Sequence, residues 1–292
     1  MTYCVAMRVN AGLVFLSDSR TNAGVDQIGT FRKMNVFENA GDRVLVLMTS
    51  GNLSITQAIR QAIAEVVTPQ GKSIWDVESM YEAAQVVGEA IRRVHVRDAA
   101  ALQDFGIDFN VRMIFGGQIK GGCPRLFQIY SAGNFIEAHD ENTYFQIGEA
   151  KYGKPIIDRV ITPESTLDEA AKCALISMDS TLRSNISVGL PLDLLVYKAD
   201  SFSVTRFVTI DERNQYFQMI RNSWGNQLKS VFEGISDPVW DAPTEATLNV
   251  LSTRQVQNQP VRMAPPADVK APASPPAQVQ TLAQQNDPSR QH

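Results

Sequence analysis

The chain has 292 residues, 44% of them hydrophobic and 20% charged, with a formal net charge of −4. A chain of that length and make-up buries a core without staples, and mild acidity with no clustered basic face argues against nucleic acid as a partner. No apolar run reaches the roughly 18 residues of a membrane span, and three scattered cysteines, Cys4, Cys123 and Cys173, fit neither a disulfide framework nor a zinc site but reduced thiols in a cytoplasmic protein.

The chain opens with strands. Residues 2–9 and 12–17 are β-rich and are joined by Asn10-Ala11-Gly12, a hairpin-type turn. Further strands are expected at 34–38 and 43–49, where the continuous run VLVLM suits a strand buried on both faces. The period then changes: Ile55, Ala58, Ile59, Ala62, Ile63 and Val66 recur at three and four, and Ser54 with Gln57 resembles a capping box. A second helix is expected over 77–97. Residues 107–148 return to strands, broken at Lys120-Gly121-Gly122 and Gly133-Asn134. Thr166 and Glu169 form a capping box for a helix over 166–183, followed by strands at 191–198 and 202–210 and a helix near 214–232.

Grouped strands with grouped helices predict a layered α+β fold rather than alternating βαβ units. Two antiparallel sheets face to face, with helices outside, use every element. Composition shifts from about residue 236, so the folded domain is expected over 1–235. Residues 257–292 hold 7 of the 14 prolines and read as a disordered Pro/Ala/Gln-rich tail.

The first residues show no basic segment followed by an apolar one, so no leader is expected and loss of Met1 would set the mature N-terminus. Thr2 would then carry a free α-amine. A hydroxyl is a weak nucleophile that needs a base, and an α-amine, with an ordinary pKa of about 7.7–8.0, is a matched one. One residue supplies both groups, and no histidine is required. Asp18 and Arg20 close the second strand in LSDSRTNAG, and Lys33 precedes the next in FRKMNVF. Antiparallel pairing of the first two strands brings Asp18 beside Thr2. A buried Lys33 would pair with Asp18, lower the pKa of the Thr2 hydroxyl and favour the neutral amine. Gly51, in Met48-Thr49-Ser50-Gly51 at a strand-to-helix junction, offers a backbone N–H to an oxyanion. Cys4 reads as a core residue. With no HExxH, Cys/His cluster, GxxxxGK[ST] or GxGxxG, no metal, nucleotide or other cofactor is expected.

Thr2, SDSRTNAG, the Lys33 before MNVF and the Thr-Ser-Gly before a helix resemble the proteasome β-type fold and HslV-type peptidases, and most closely the bacterial ancestral β-subunit family, Anbu, over about residues 1–235. The resemblance implies a four-layer αββα N-terminal-nucleophile fold and a threonine peptidase acting on peptide substrates. It implies Thr2 as nucleophile, Asp18 and Lys33 as its electrostatic support and the Gly51 N–H as oxyanion donor. It also places Thr21, Phe31, Thr49 and Leu53 at the pocket for the residue before the scissile bond. Self-assembly into rings or open ring-like helices follows, as do peptide-ligase-like or transglutaminase-like partner proteins.

Two positions depart from the family pattern. Glu149, in Ile147-Gly148-Glu149-Ala150, stands where a supporting serine is usual. In Arg183-Ser184-Asn185-Ile186-Ser187-Val188, Ser187 is kept but Ser184 replaces an aspartate. These departures leave two further readings open: a specialised amidase or transpeptidase acting on a small modified peptide, and a ring-forming scaffold without turnover.

Overall fold

The computed structural model describes residues 1–22, 28–66 and 71–238. Met1–Ile235 form one unit and Ser236–His292 another. The site lies wholly in the first, and the predicted tail over 257–292 lies outside the described residues.

The elements, in chain order, are β1 (Tyr3–Val9), β2 (Gly12–Asp18), β3 (Arg20–Asn22), β4 (Ile28–Thr30), β5 (Met34–Asn39), β6 (Arg43–Gly51), α1 (Leu53–Ile63) and α2 (Met80–Asp104). After them come β7 (Val111–Ile119), β8 (Arg125–Ile129), β9 (Phe135–Glu137), β10 (Tyr144–Gly148), α3 (Lys154–Val160), α4 (Leu167–Ser184), β11 (Leu192–Lys198), β12 (Arg206–Ile210) and α5 (Gln215–Glu233). One five-stranded sheet runs β10-β1-β2-β11-β12, the other β5-β6-β7-β8-β9, and β3 and β4 pair by themselves. Neighbouring strands are antiparallel throughout. This is the α+β, antiparallel-sheet class expected from the sequence.

The period-2 geometry of strands explains the core. On β1, Tyr3, Val5 and Met7 pack with Met178 of α4 and Phe217 of α5, while Cys4 and Ala6 face the other way. On β6, Leu45 and Leu47 pack with Ile59 of α1 and Val87 and Ile91 of α2, while Val44, Val46 and Met48 join Cys4, Ala6 and Phe15. The VLVLM run is continuous because both faces of its strand are covered.

Several boundaries differ from expectation. Helix α1 is capped by Asn52, not by a Ser54–Gln57 box: the Asn52 side chain accepts from the Ser54 N–H at 3.0 Å, and the Ser54 hydroxyl donates to it at 2.8 Å. A carboxamide two residues earlier caps the helix first. Helix α2 runs seven residues beyond its predicted end at 97. Residues 107–110 and 202–205 precede rather than belong to strands, and the β3–β4 hairpin and α3 were not anticipated. The Thr166–Glu169 capping box is present in full. Among the described residues, no helix is long and apolar enough to cross a membrane.

Candidate active site

The β1–β2 register pairs Cys4 with Ser17, so the next step along the hairpin sets the Thr2–Tyr3 peptide against Asp18. The Tyr3 N–H donates to Asp18 Oδ1 at 3.0 Å. Lys33 enters from the foot of β5, where its carbonyl accepts from the Thr49 N–H of β6 at 3.1 Å. Its ammonium donates to Asp18 Oδ1 at 2.6 Å and to the Arg20 carbonyl at 2.7 Å. Both side chains are buried, 0% exposed for Asp18 and 8% for Lys33, so neither charge is tenable without the other. The Gly189 N–H reaches the second oxygen, Oδ2, at 3.5 Å. Burial pushes the Asp18 carboxyl up from its ordinary value, and Lys33 together with the Tyr3 and Gly189 N–H groups pulls against that.

Thr2 is held from the other side by β10. Tyr3 pairs with Gly148, and the Glu149 N–H donates to the Thr2 carbonyl at 2.8 Å. Gly148 has φ +84°, and a Cβ there would collide with that carbonyl, so only glycine lets the chain pass so close. Behind Thr2, the buried Tyr3 ring anchors the strand: its hydroxyl meets Ser177 Oγ at 2.6 Å and accepts from Gln146 Nε2 at 2.5 Å.

These groups open onto a cavity of about 660 Å³ lined by Met1, Thr2, Lys33, Gly51 and Glu149, among others. Thr21, Phe31, Thr49 and Leu53, the four residues expected at a pocket, all line it. Gly51 is exposed at the β6–α1 junction. Its φ of +114° and the proximity of the Asn110 carbonyl leave no room for a side chain. Glu149 also lines the cavity, and its carboxylate has Lys151 Nζ 3.8 Å away. Arg20 lines it too, but its guanidinium donates to the Ile186 carbonyl at 2.9 Å and lies against Gly189, tying the loop after α4 to β3.

Ser184 and Ser187 are not in the cavity lining. Ser184 is the exposed last residue of α4, and Ser187 sits in the following loop, its N–H donating to Asn185 Oδ1 at 2.9 Å. That loop meets the site through the backbone of Gly189 instead. Sequence reasoning missed Gly189 beside Asp18, together with Asn52, Asn110 and Arg112 of the lining. Asn52 carried a signal, as a side-chain cap ahead of an apolar stripe. The others depend on sheet register and carried none.

Cys4 is fully buried, and burial pushes its thiol upward, so it stays protonated and belongs to the core. Among the described residues no cluster of His, Cys, Asp or Glu could hold a metal ion.

No protein-family model and no curated protein matches the sequence. Solved structures do. The chain is 52% identical to Anbu (ancestral beta-subunit) from Yersinia bercovieri, covering 82% of this chain and 100% of that one, with a TM-score of 0.77. It is 48% identical to an Anbu (Gly-1) mutant from Hyphomicrobium sp. strain MC1, covering 82% and 100%, with a TM-score of 0.76. It is 45% identical to the subunit in the helical assembly of the Anbu complex from Pseudomonas aeruginosa, covering 82% and 99%, with a TM-score of 0.77.

Proposed function

The chain belongs to the Anbu (ancestral β-subunit) family, which is proteasome-β-like, and from that premise we propose that it is a threonine peptidase whose nucleophile and general base both reside on Thr2 after loss of Met1. The observation that carries this reading is the convergence of Thr2, Lys33 and Gly51 on one cavity, with Lys33 held on the buried Asp18 at 2.6 Å. Met1 lines the same cavity and is 60% exposed, so the residue to be removed sits where a processing enzyme can reach it.

In this mechanism the Thr2 hydroxyl attacks an amide carbonyl and its proton passes to the α-amine, directly or through a water. The Lys33 ammonium lowers the cost of the developing alkoxide and disfavours a second cation on the amine. Asp18 keeps that ammonium charged and in place. The Gly51 N–H receives the oxyanion. The amide C–N bond breaks with protonation of the leaving amine, an ester remains on Thr2, and water hydrolyses it with the amine again as base.

Three apolar clusters, one between the two sheets and one on the outer side of each, support a helix–sheet–sheet–helix stacking, the four-layer arrangement of N-terminal-nucleophile hydrolases. The helical assembly of the Pseudomonas relative supports self-association of this chain as well. Glu149 at the cavity favours a role beside the freed amine. Ser184 is exposed and outside the cavity lining, which favours reading its substitution as compatible with turnover.

A panel of fluorogenic peptides and small amides, assayed with wild type and Thr2→Ala, tests the proposal. Wild type should hydrolyse peptides, and Thr2→Ala should abolish turnover while leaving secondary structure and assembly unchanged. Cleavage of small amides alone would make the chain a specialised amidase. Turnover that survives Thr2→Ala would refute the mechanism.

A further inference from the structure

Resting on the reading of this cavity as a substrate site, a further inference concerns which substrates it takes. Arg20, Lys33, Arg112 and Glu149 are its charged lining residues. Two of the three cations are committed within the protein: Lys33 to Asp18 and the Arg20 carbonyl, and Arg20 to the Ile186 carbonyl. Arg112 is not. Among the described residues its guanidinium has no hydrogen-bond or ion-pair partner.

Its placement is also out of pattern. Strand β7 is buried at every position from Val111 to Ile119 except Arg112. The register sets Arg112 opposite Ser50, one step from the Gly51–Val111 pair, and cross-strand partners project on the same face. An otherwise buried strand thus presents one uncommitted cation into the cavity, beside the proposed oxyanion donor. A guanidinium recognises a carboxylate through two parallel N–H···O bonds. An exposed pair in water is weak, but a peptide that covers the cavity removes water from both partners and strengthens it.

We infer that Arg112 is a specificity residue that selects substrates carrying a carboxylate at the Ser50–Asn110 wall of the cavity. An Asp or Glu side chain and a free chain terminus supply the same group, and the test separates them.

The test uses full-length Thr2→Ala protein, so that binding is read without turnover. Fluorophore-labelled, end-blocked hexapeptides carry a single Glu, Gln or Lys at each position in turn, and a further neutral peptide keeps a free terminal carboxylate. Fluorescence anisotropy gives the dissociation constants. Glu at one position, or the free terminus, should bind about tenfold tighter than its neutral counterpart. Arg112→Gln should erase the difference, and Arg112→Glu should turn the preference toward Lys. Because Arg112 is exposed, neither variant should lose the fold, and circular dichroism checks this. Equal binding of Glu, Gln and carboxylate peptides, absence of binding at every position, or a preference that survives Arg112→Gln overturns the inference. An acidic preference without wild-type turnover would instead refute the hydrolase reading and leave Arg112 its role.

Discussion

Two aspartates of this protein are almost equally buried and both are paired with cations, yet they sit in different settings. Asp18 is 0% exposed and meets a lysine that lines an open cavity. Asp179 on α4 is 2% exposed and meets two arginines, Arg183 at 2.9 Å and Arg221 at 3.0 Å, which tie α4 to α5. The arginines are 55% and 41% exposed, so their charge is largely screened, and their planar forks suit a fixed clamp. Lys33 is a compact point charge, 8% exposed, directed at the Asp18 oxygen and the Arg20 carbonyl from within the cavity lining. A buried acid with a cationic partner is therefore no sign of chemistry by itself. Arg183 and Arg221 also border a cavity, of about 390 Å³; what separates the pairs is that the cavity beside Lys33 is lined by Thr2 and Gly51 as well.

Breaking each pair should separate the two roles. Lys33→Ala leaves a buried carboxylate without its cation, so unfolding free energy should fall by about 3–5 kcal/mol, and kcat/KM by about a thousandfold for protein still folded. Denaturant unfolding and peptide hydrolysis measure the two effects, and retained activity would place the cation elsewhere. Asp179→Asn should cost about 1–2 kcal/mol, since its partners are half in solvent, with kcat/KM unchanged. A loss of rate comparable to that of Lys33→Ala would erase the distinction.

A third variant sharpens the electrostatics at Thr2. A carboxylate beside an amine favours the ammonium form and raises its pKa. Glu149→Gln should therefore let the base act at lower pH, moving the acid limb of kcat/KM downward by less than about one pH unit. A limb that stays in place would separate Glu149 from the base. In every form that retains Asp18, a further loss is expected as pH falls through the Asp18 value, which burial sets above the ordinary one, because protonation dissolves its pair with Lys33.

The sequence disclosed most of the local structure for identifiable reasons. The β1–β2 hairpin, the doubly buried β6 and the capping box of α4 follow from turn chemistry, periodicity and side-chain caps. The hairpin alone was enough to bring Asp18 to the start of the chain, and Thr21, Phe31, Thr49 and Leu53 reach the cavity as the resemblance implied. What stayed hidden was set by distant register. Arg112 meets Ser50 through a pairing 62 residues apart, and Gly189 reaches Asp18 across 171, so no window of sequence holds either relation. Ser184, singled out by the resemblance as a motif position, lies exposed at a helix end here.

The most direct test is the intact mass of the purified protein before and after treatment with a covalent electrophile directed at N-terminal threonines. The untreated mass should be lower than that of the full sequence by one methionine, and treatment should add one inhibitor per chain at Thr2, with no adduct on Thr2→Ala. Retained Met1 on protein that hydrolyses peptides, or an adduct that persists without Thr2, would contradict the account.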